Sequence, residues 1–114
     1  MAENGTRVKA ADNPDVYVVL DGKRRHVTEQ VYENIFTGWD GISEINIEDI
    51  EDGGSVQDGY IGHDEGGESY LVADSVKYRI NGNAAAERYQ LRVTDPRILS
   101  ADEAGRLTDG PQLG

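Results

Sequence analysis

No cysteine occurs anywhere in the chain, which excludes disulfide staples, thiolate nucleophiles and thiolate metal sites while leaving the redox compartment open. No apolar run approaches the length of a bilayer span, and the opening stretch MAENGTRVKAADNP has no hydrophobic h-region, so neither a signal peptide nor membrane insertion is expected. Positive charge is also scarce: 11 Lys and Arg stand against 22 Asp and Glu, a formal net charge of −11. Such a balance repels phosphate backbones and anionic membrane surfaces, so nucleic acid is not an expected partner. Apolar residues make up only 37% of the 114 positions, and a chain of that size and composition buries an adequate core only if its halves share it.

What the sequence does contain is an internal duplication. The stretches VYVVLDGKRRHV (Val16 to Val27) and SYLVADSVKYRI (Ser69 to Ile80) align when Tyr17 is laid on Tyr70, an offset of 70 − 17 = 53. The same offset carries Val8 onto Ile61, Val19 onto Val72, Asp21 onto Asp74, Arg24 onto Lys77, Val27 onto Ile80 and Phe36 onto Tyr89. Further on, GSVQDG (Gly54 to Gly59) matches GRLTDG (Gly105 to Gly110) at an offset of 105 − 54 = 51, which implies two residues lost from the second copy. A period near 50 marks a supersecondary unit that needs a neighbour to bury its apolar face. We expect an α+β fold of two tandem β-hairpin plus short-helix repeats, residues 4–57 and 58–114, packed as one small domain.

Local chemistry defines each unit. Val16 to Leu20 and Lys23 to Val27 flank Asp21-Gly22, a favoured type I′ turn, so Val16 should face Val27, Tyr17 His26, and Val19 Arg24. Asp74-Ser75 is the poorer turn of the second copy, since Ser lacks the conformational freedom of Gly at positive φ. There the face of Leu71, Ala73, Val76, Tyr78 and Ile80 must be the core face. A helix capped by Thr28 follows the first hairpin and one capped by Asn83 the second, each able to lie across its own hairpin. Ile45 with Ile47, and Leu91 with Val93, alternate as short extended segments, and Asp95-Pro96 reads as the cap and first residue of another helical turn. Asn4-Gly5, Asp58-Gly59 and Asp109-Gly110 each precede an apolar residue, and the last reads as a closing strand or as a seam for a further copy.

Catalysis finds little support in these residues. His26 aligns with Arg79, as a polar surface residue does, and His63 with Ser69 lies in the acidic loop GHDEGGES without a nucleophile elbow, so no catalytic residue is assigned. The carboxylates of EINIEDIEDGG miss the spacing of a calcium loop because Ile50 interrupts it; no metal or other cofactor is assigned, and a solvated acidic loop is the simpler reading. The notable feature is an outer hairpin face carrying Tyr17, Arg24 and His26 in one copy and Tyr70, Lys77 and Arg79 in the other. A protein or glycan partner could use it; packing, with the cations paired to the acidic loops, is weighed above that. Trp39, in TGWDG, reads by default as a buried lid and alternatively as an exposed stacking platform for a sugar.

The run VYVVLDGKRRHV, with its following helix, GWDGI and DGGSV, resembles a short repeat common in bacterial and phage extracellular proteins. In that repeat an aliphatic-Tyr-aliphatic strand, a Gly turn and a Lys-Arg strand precede an aromatic-containing helix. Ser75 and Arg92 depart from the pattern in the second copy. The resemblance implies a non-catalytic interaction or structural module in a surface, envelope-associated or virion setting. A different class also fits the charge: a small acidic inhibitor mimicking nucleic acid against a basic protein.

Overall fold

The structure, a computed structural model, describes residues 3–94 and 96–114. The first half forms β1 (Arg7–Lys9), β2 (Val16–Leu20), β3 (Lys23–Val27), α1 (Glu29–Ile35), β4 (Ser43–Glu44), a 3₁₀ turn (Ile47–Asp49) and β5 (Glu51–Ser55). The second half repeats the plan as β6 (Gly59–Asp64), β7 (Ser69–Ala73), β8 (Val76–Arg79), α2 (Gly82–Arg88), β9 (Arg97–Leu99), α3 (Ala101–Arg106) and β10 (Thr108–Asp109). Each half is a five-stranded mixed sheet, ordered β4-β1-β2-β3-β5 and, reversed to match, β9-β6-β7-β8-β10. The fold is α+β, and each unit holds three strands beyond the expected hairpin. A two-stranded hairpin is barely stable in water, and the added antiparallel and parallel partners complete a sheet.

Both hairpins take the register expected from their turns, including Tyr17↔His26, Val19↔Arg24, Tyr70↔Arg79 and Val72↔Lys77. Both turns place their two central residues at positive φ: Asp21 56° and Gly22 72°, then Asp74 49° and Ser75 70°. Ser75 therefore carries a side chain in a conformation that suits glycine. The inner faces meet as foreseen. Val18, Leu20, Leu71, Ala73, Tyr78 and Ile80 lie in one buried cluster with Tyr32, Ile35 and Phe36 from α1 and its end, and with Ala85, Ala86 and Tyr89 from α2 and its end.

The first helix does not rest on its own hairpin alone; it crosses to the other unit and packs on β6. Gly59 makes that approach close. A Cβ there would lie 2.8 Å from Ile35 Cδ1 and 3.0 Å from Val31 Cγ1. Thr28 caps α1 as expected, its side chain accepting from Val31 N–H. Asn83 is no cap: it lies inside α2, and the flanking Asn81 makes no side-chain capping bond, its own N–H donating to Leu113 O at 3.0 Å.

The register also revises the repeat. Val8 faces Tyr17 but Gly62 faces Tyr70, so the leading strands correspond at 62 − 8 = 54, one residue beyond the hairpin offset. Arg7, not Val8, therefore stands where Ile61 stands. Glu51 pairs with Lys23 and Thr108 with Val76, so the closing strands correspond at 108 − 51 = 57. The GSVQDG and GRLTDG match is thus a coincidence of composition: Gly54 is in β5 and Gly105 in α3, and the second copy has gained residues. Of the Asp95-Pro96 turn, Asp95 lies outside the described residues; Pro96 leads into β9, and the helix begins later, at Ser100, with a capping box to Glu103. Ile47 opens the 3₁₀ turn rather than continuing a strand, and Leu91 forms only an isolated bridge with Phe36. The chain end does close the sheet, as β10 plus a bridge from Leu113 to Ile80.

Among the described residues no helix is long and apolar enough to cross a membrane. Two substitutions test this packing. Ser75→Gly should raise the stability measured by urea unfolding by about 1 kcal/mol, by relieving the left-handed serine. Gly59→Ala should lower it by about 1–3 kcal/mol, because the buried Ile35 has little room to retreat; unchanged stability would show that α1 does not press on β6.

Candidate functional site

The outer hairpin faces bring the aromatic and basic residues together, but each face is roofed by a later segment of its own unit. Over the first, Val8, Val19 and Ile50 form a small cluster with Tyr17, Ile45 and Ile47. Over the second, Val72, Leu99 and Ala104 do the same with Tyr60, Tyr70 and Leu107. Val19 and Val72 are each 1% exposed.

Arg24 and Lys77 hold these roofs in place. Arg24 Nη1 donates to Ile47 O at 2.5 Å and Ile50 O at 2.6 Å, at the end of the 3₁₀ turn. Its Nε is buried and has no hydrogen-bond partner among the described residues. Lys77 Nζ donates to Ala104 O at 2.8 Å, in the last turn of α3. Ile47 O and Ala104 O each also accept from the N–H that ends their own helix, of Ile50 and Leu107; a carbonyl has a second lone pair, and the partial negative charge at a helix C-terminus favours a cation there. The two cations also sit over equivalent rings, Arg24 5.6 Å from Tyr17 and Lys77 5.5 Å from Tyr70. Arg79, at the rim, is taken by Glu68 at 2.8 Å and by Gln112. Most of the stripe is thus engaged within the fold.

The acidic loop of the second unit is likewise committed to itself. Asp64 accepts from Glu68 N–H at 2.9 Å and from the Tyr70 hydroxyl at 3.1 Å. The Glu68 N–H foremost holds the Asp64 carboxyl below its usual range, while burial and then the Asp64 bond push the Tyr70 hydroxyl up. Among the described residues no three His, Asp or Glu side chains converge as a metal site. His63 Nδ1 lies 3.2 Å from Ser69 Oγ across paired strands, and among the described residues no carboxylate hydrogen-bonds His63.

His26 and Trp39 meet at the open end of the first hairpin. They line a cleft of about 350 Å³ with Pro14, Asp15, Thr28 and Glu29. Trp39 is not a buried lid. It is 47% exposed, with its ring stacked on Tyr32 at 3.8 Å between centroids and 12° between planes. His26 lies edge-on to Tyr17 at 5.6 Å, and its Nε2 is 3.7 Å from Asp15 Oδ1.

The Trp39 platform is stiffened from below. The Tyr32 hydroxyl donates to Gly38 O and accepts from Arg7 Nη1 at 2.7 Å. Arg7 is only 5% exposed and also donates to Gly38 O at 3.1 Å and Gln90 Oε1 at 3.2 Å. Its guanidinium carbon sits 5.3 Å from the Phe36 ring. Nη1 carries all three of these bonds, and hydrogen bonding of this kind offsets part of the cost of burying the cation. The loop bearing Trp39 is thereby tied to both units.

Asp15 and Glu29 were not singled out from sequence, although the Val16↔Val27 pairing places Asp15 opposite Thr28 and so beside the helix start. Arg7 could not have been found, because a one-residue slip puts it where the repeat alignment expects an apolar residue.

Comparison with protein-family models, with curated proteins and with solved structures gave no match.

Tyr32→Phe should destabilise the protein by about 1–2 kcal/mol, since Arg7 Nη1 loses the nearest of its three acceptors and Gly38 O loses the hydroxyl donor. It should also shift and broaden the emission of Trp39, the single tryptophan. Emission and unfolding midpoint identical to the parent's would show that the stack does not depend on this bond.

Proposed function

We propose that the protein is a non-catalytic binding module that takes a saccharide on Trp39. The exposed, pre-stacked Trp39 ring beside His26, Asp15 and Glu29 carries this reading. A pyranose presents an apolar face of C–H groups whose partial positive charge suits the negative face of an indole. Its hydroxyls suit carboxylates and imidazole at the rim, which can accept or donate hydrogen bonds. Because Tyr32 already fixes the indole, little side-chain entropy is lost on binding.

The outer hairpin faces contribute less than the sequence suggested, because Arg24, Lys77 and Arg79 are occupied by internal partners. Support for a surface, envelope-associated or virion setting comes from the repeat resemblance alone. Mimicry of nucleic acid is the weaker reading. It calls for carboxylates along one ridge, whereas Glu44, Glu51, Glu68 and Glu103 are drawn into ion pairs in both units.

The test is a glycan and cell-wall oligosaccharide array followed by titration of Trp39 fluorescence. Trp39→Ala should weaken binding of any saccharide found by about tenfold or more, while stability falls by about 1 kcal/mol or less at this half-exposed position. Retained saccharide affinity in that variant would sink the assignment, as would salt-sensitive binding to a basic nuclease with no saccharide bound.

A further inference from the structure

A second cavity, about 500 Å³, opens on the outer face of the first sheet between β1 and the segment that roofs it. Its apolar wall is Val8, Ile45 and Ile50, and its charged lining residues are Asp49 and Glu51. The duplicated unit shows what such a space holds when it is full.

The registers give the correspondence residue by residue. With Val8 equivalent to Gly62, Thr6 stands where Tyr60 stands. Ser43 pairs with Val8 and Arg97 with Gly62, so Ser43 stands where Arg97 stands, at 97 − 43 = 54. Asn46 and Ser100, also 54 apart, are the N-caps of the two roofing helices. Three residues after each cap come Asp49 and Glu103.

In the second unit these positions form a closed set. Tyr60 packs on Val72, Leu99 and Ala104, the Arg97 guanidinium lies 4.9 Å from the centre of its ring, and Arg97 Nη2 is 3.5 Å from Glu103 Oε2. In the first unit the ring and the cation are both missing, replaced by Thr6 and Ser43, and both of these line the cavity. The roof is also shorter, three residues (Ile47–Asp49) against six (Ala101–Arg106). The carboxylate remains as Asp49. What survives is an apolar wall with the Asp49 carboxylate at its rim and neither ring nor cation in the places of Tyr60 and Arg97; the other rim carboxylate, Glu51, is paired with Lys23.

We infer that this cavity is a binding site for an aromatic side chain next to a guanidinium, presented by a peptide segment of a partner protein. The bound pair would take the places that Tyr60 and Arg97 fill in the second unit: the ring against Val8 and Ile50, the cation against Asp49. Charge favours the match, since the cavity's charged lining is acidic and the chain carries −11 overall. The site is separate from the Trp39 cleft and does not depend on its ligand.

The experiment is an NMR titration of the isotope-labelled full chain with acetyl-Tyr-Arg-amide. Saturable shifts confined to the amides around Thr6, Ile45 and Ile50 are expected, with a Kd on the order of 1 mM for so small a probe. Acetyl-Tyr-Ala-amide should bind about twofold to fivefold more weakly, as loss of one exposed ion pair allows. Thr6→Tyr combined with Ser43→Arg grafts the second unit's own plug and should abolish binding. Should that graft not fold, Asp49→Asn decides: it should weaken the Tyr-Arg probe to the level of the Tyr-Ala probe and leave the latter unchanged. Absence of shifts at about 10 mM probe, equal affinity for the two probes, or a folded graft that binds like the parent would each overturn the inference.

Discussion

Everything in this molecule depends on the joint burial of two inner sheet faces. Val16, Val18 and Leu20 of one hairpin and Leu71, Ala73 and Tyr78 of the other belong to one cluster, sealed by α1, α2 and Leu113. Each apolar side chain so buried is worth about 1.5–3 kcal/mol, and a unit of half this length exposes too much of its chain to be stable alone. Reaching across to β6, α1 makes the two sheets one body rather than two beads, and the small Gly59 sets the closeness of that contact. The units face one another, so their shared faces are used up and cannot serve a third copy in the same manner.

The outer faces tell how a duplicated sequence can keep one device while changing its surroundings. Tyr17 with Arg24 and Tyr70 with Lys77 are the same arrangement: an aromatic ring below a cation that donates to carbonyls of the short helix roofing its unit. That helix differs in length between the copies, and the arrangement survives because a long cationic side chain needs only a terminal carbonyl within reach. Divergence falls instead on the space beneath the roof, full in one unit and open in the other. Position for position, Thr6 and Ser43 are too small to occupy the volume that Tyr60 and Arg97 fill.

A single line of contacts runs from the interior to the proposed saccharide platform. Arg7, held by Tyr32, Gly38 and Gln90, fixes the ring on which Trp39 lies. Gln90 belongs to the second unit and Arg7 to the first, so the platform requires the two units to be docked. A half-exposed indole would otherwise sample many orientations, and preorganisation of this sort is what gives a shallow cleft useful affinity.

The sequence by itself determined the duplication, the hairpin registers, the type I′ turns and the core face, because each rests on local rules: a two-residue alternation, turn residues that accept positive φ, and a cap at Thr28. It offered the closing strand only as one of two readings and did not determine the flanking strands β4, β5 and β9, which are two to five residues long and carry little pattern of their own. Their pairing is parallel or distant, and only a preformed hairpin edge selects them. Nor did it disclose that Arg7 replaces an apolar residue, that Arg24 and Lys77 turn inward to carbonyls, or that Trp39 stays open. Those outcomes were decided by tertiary structure, since each depends on which backbone groups a distant segment brings within reach and how much volume it fills, and neither quantity is written in the spacing of residues along the chain.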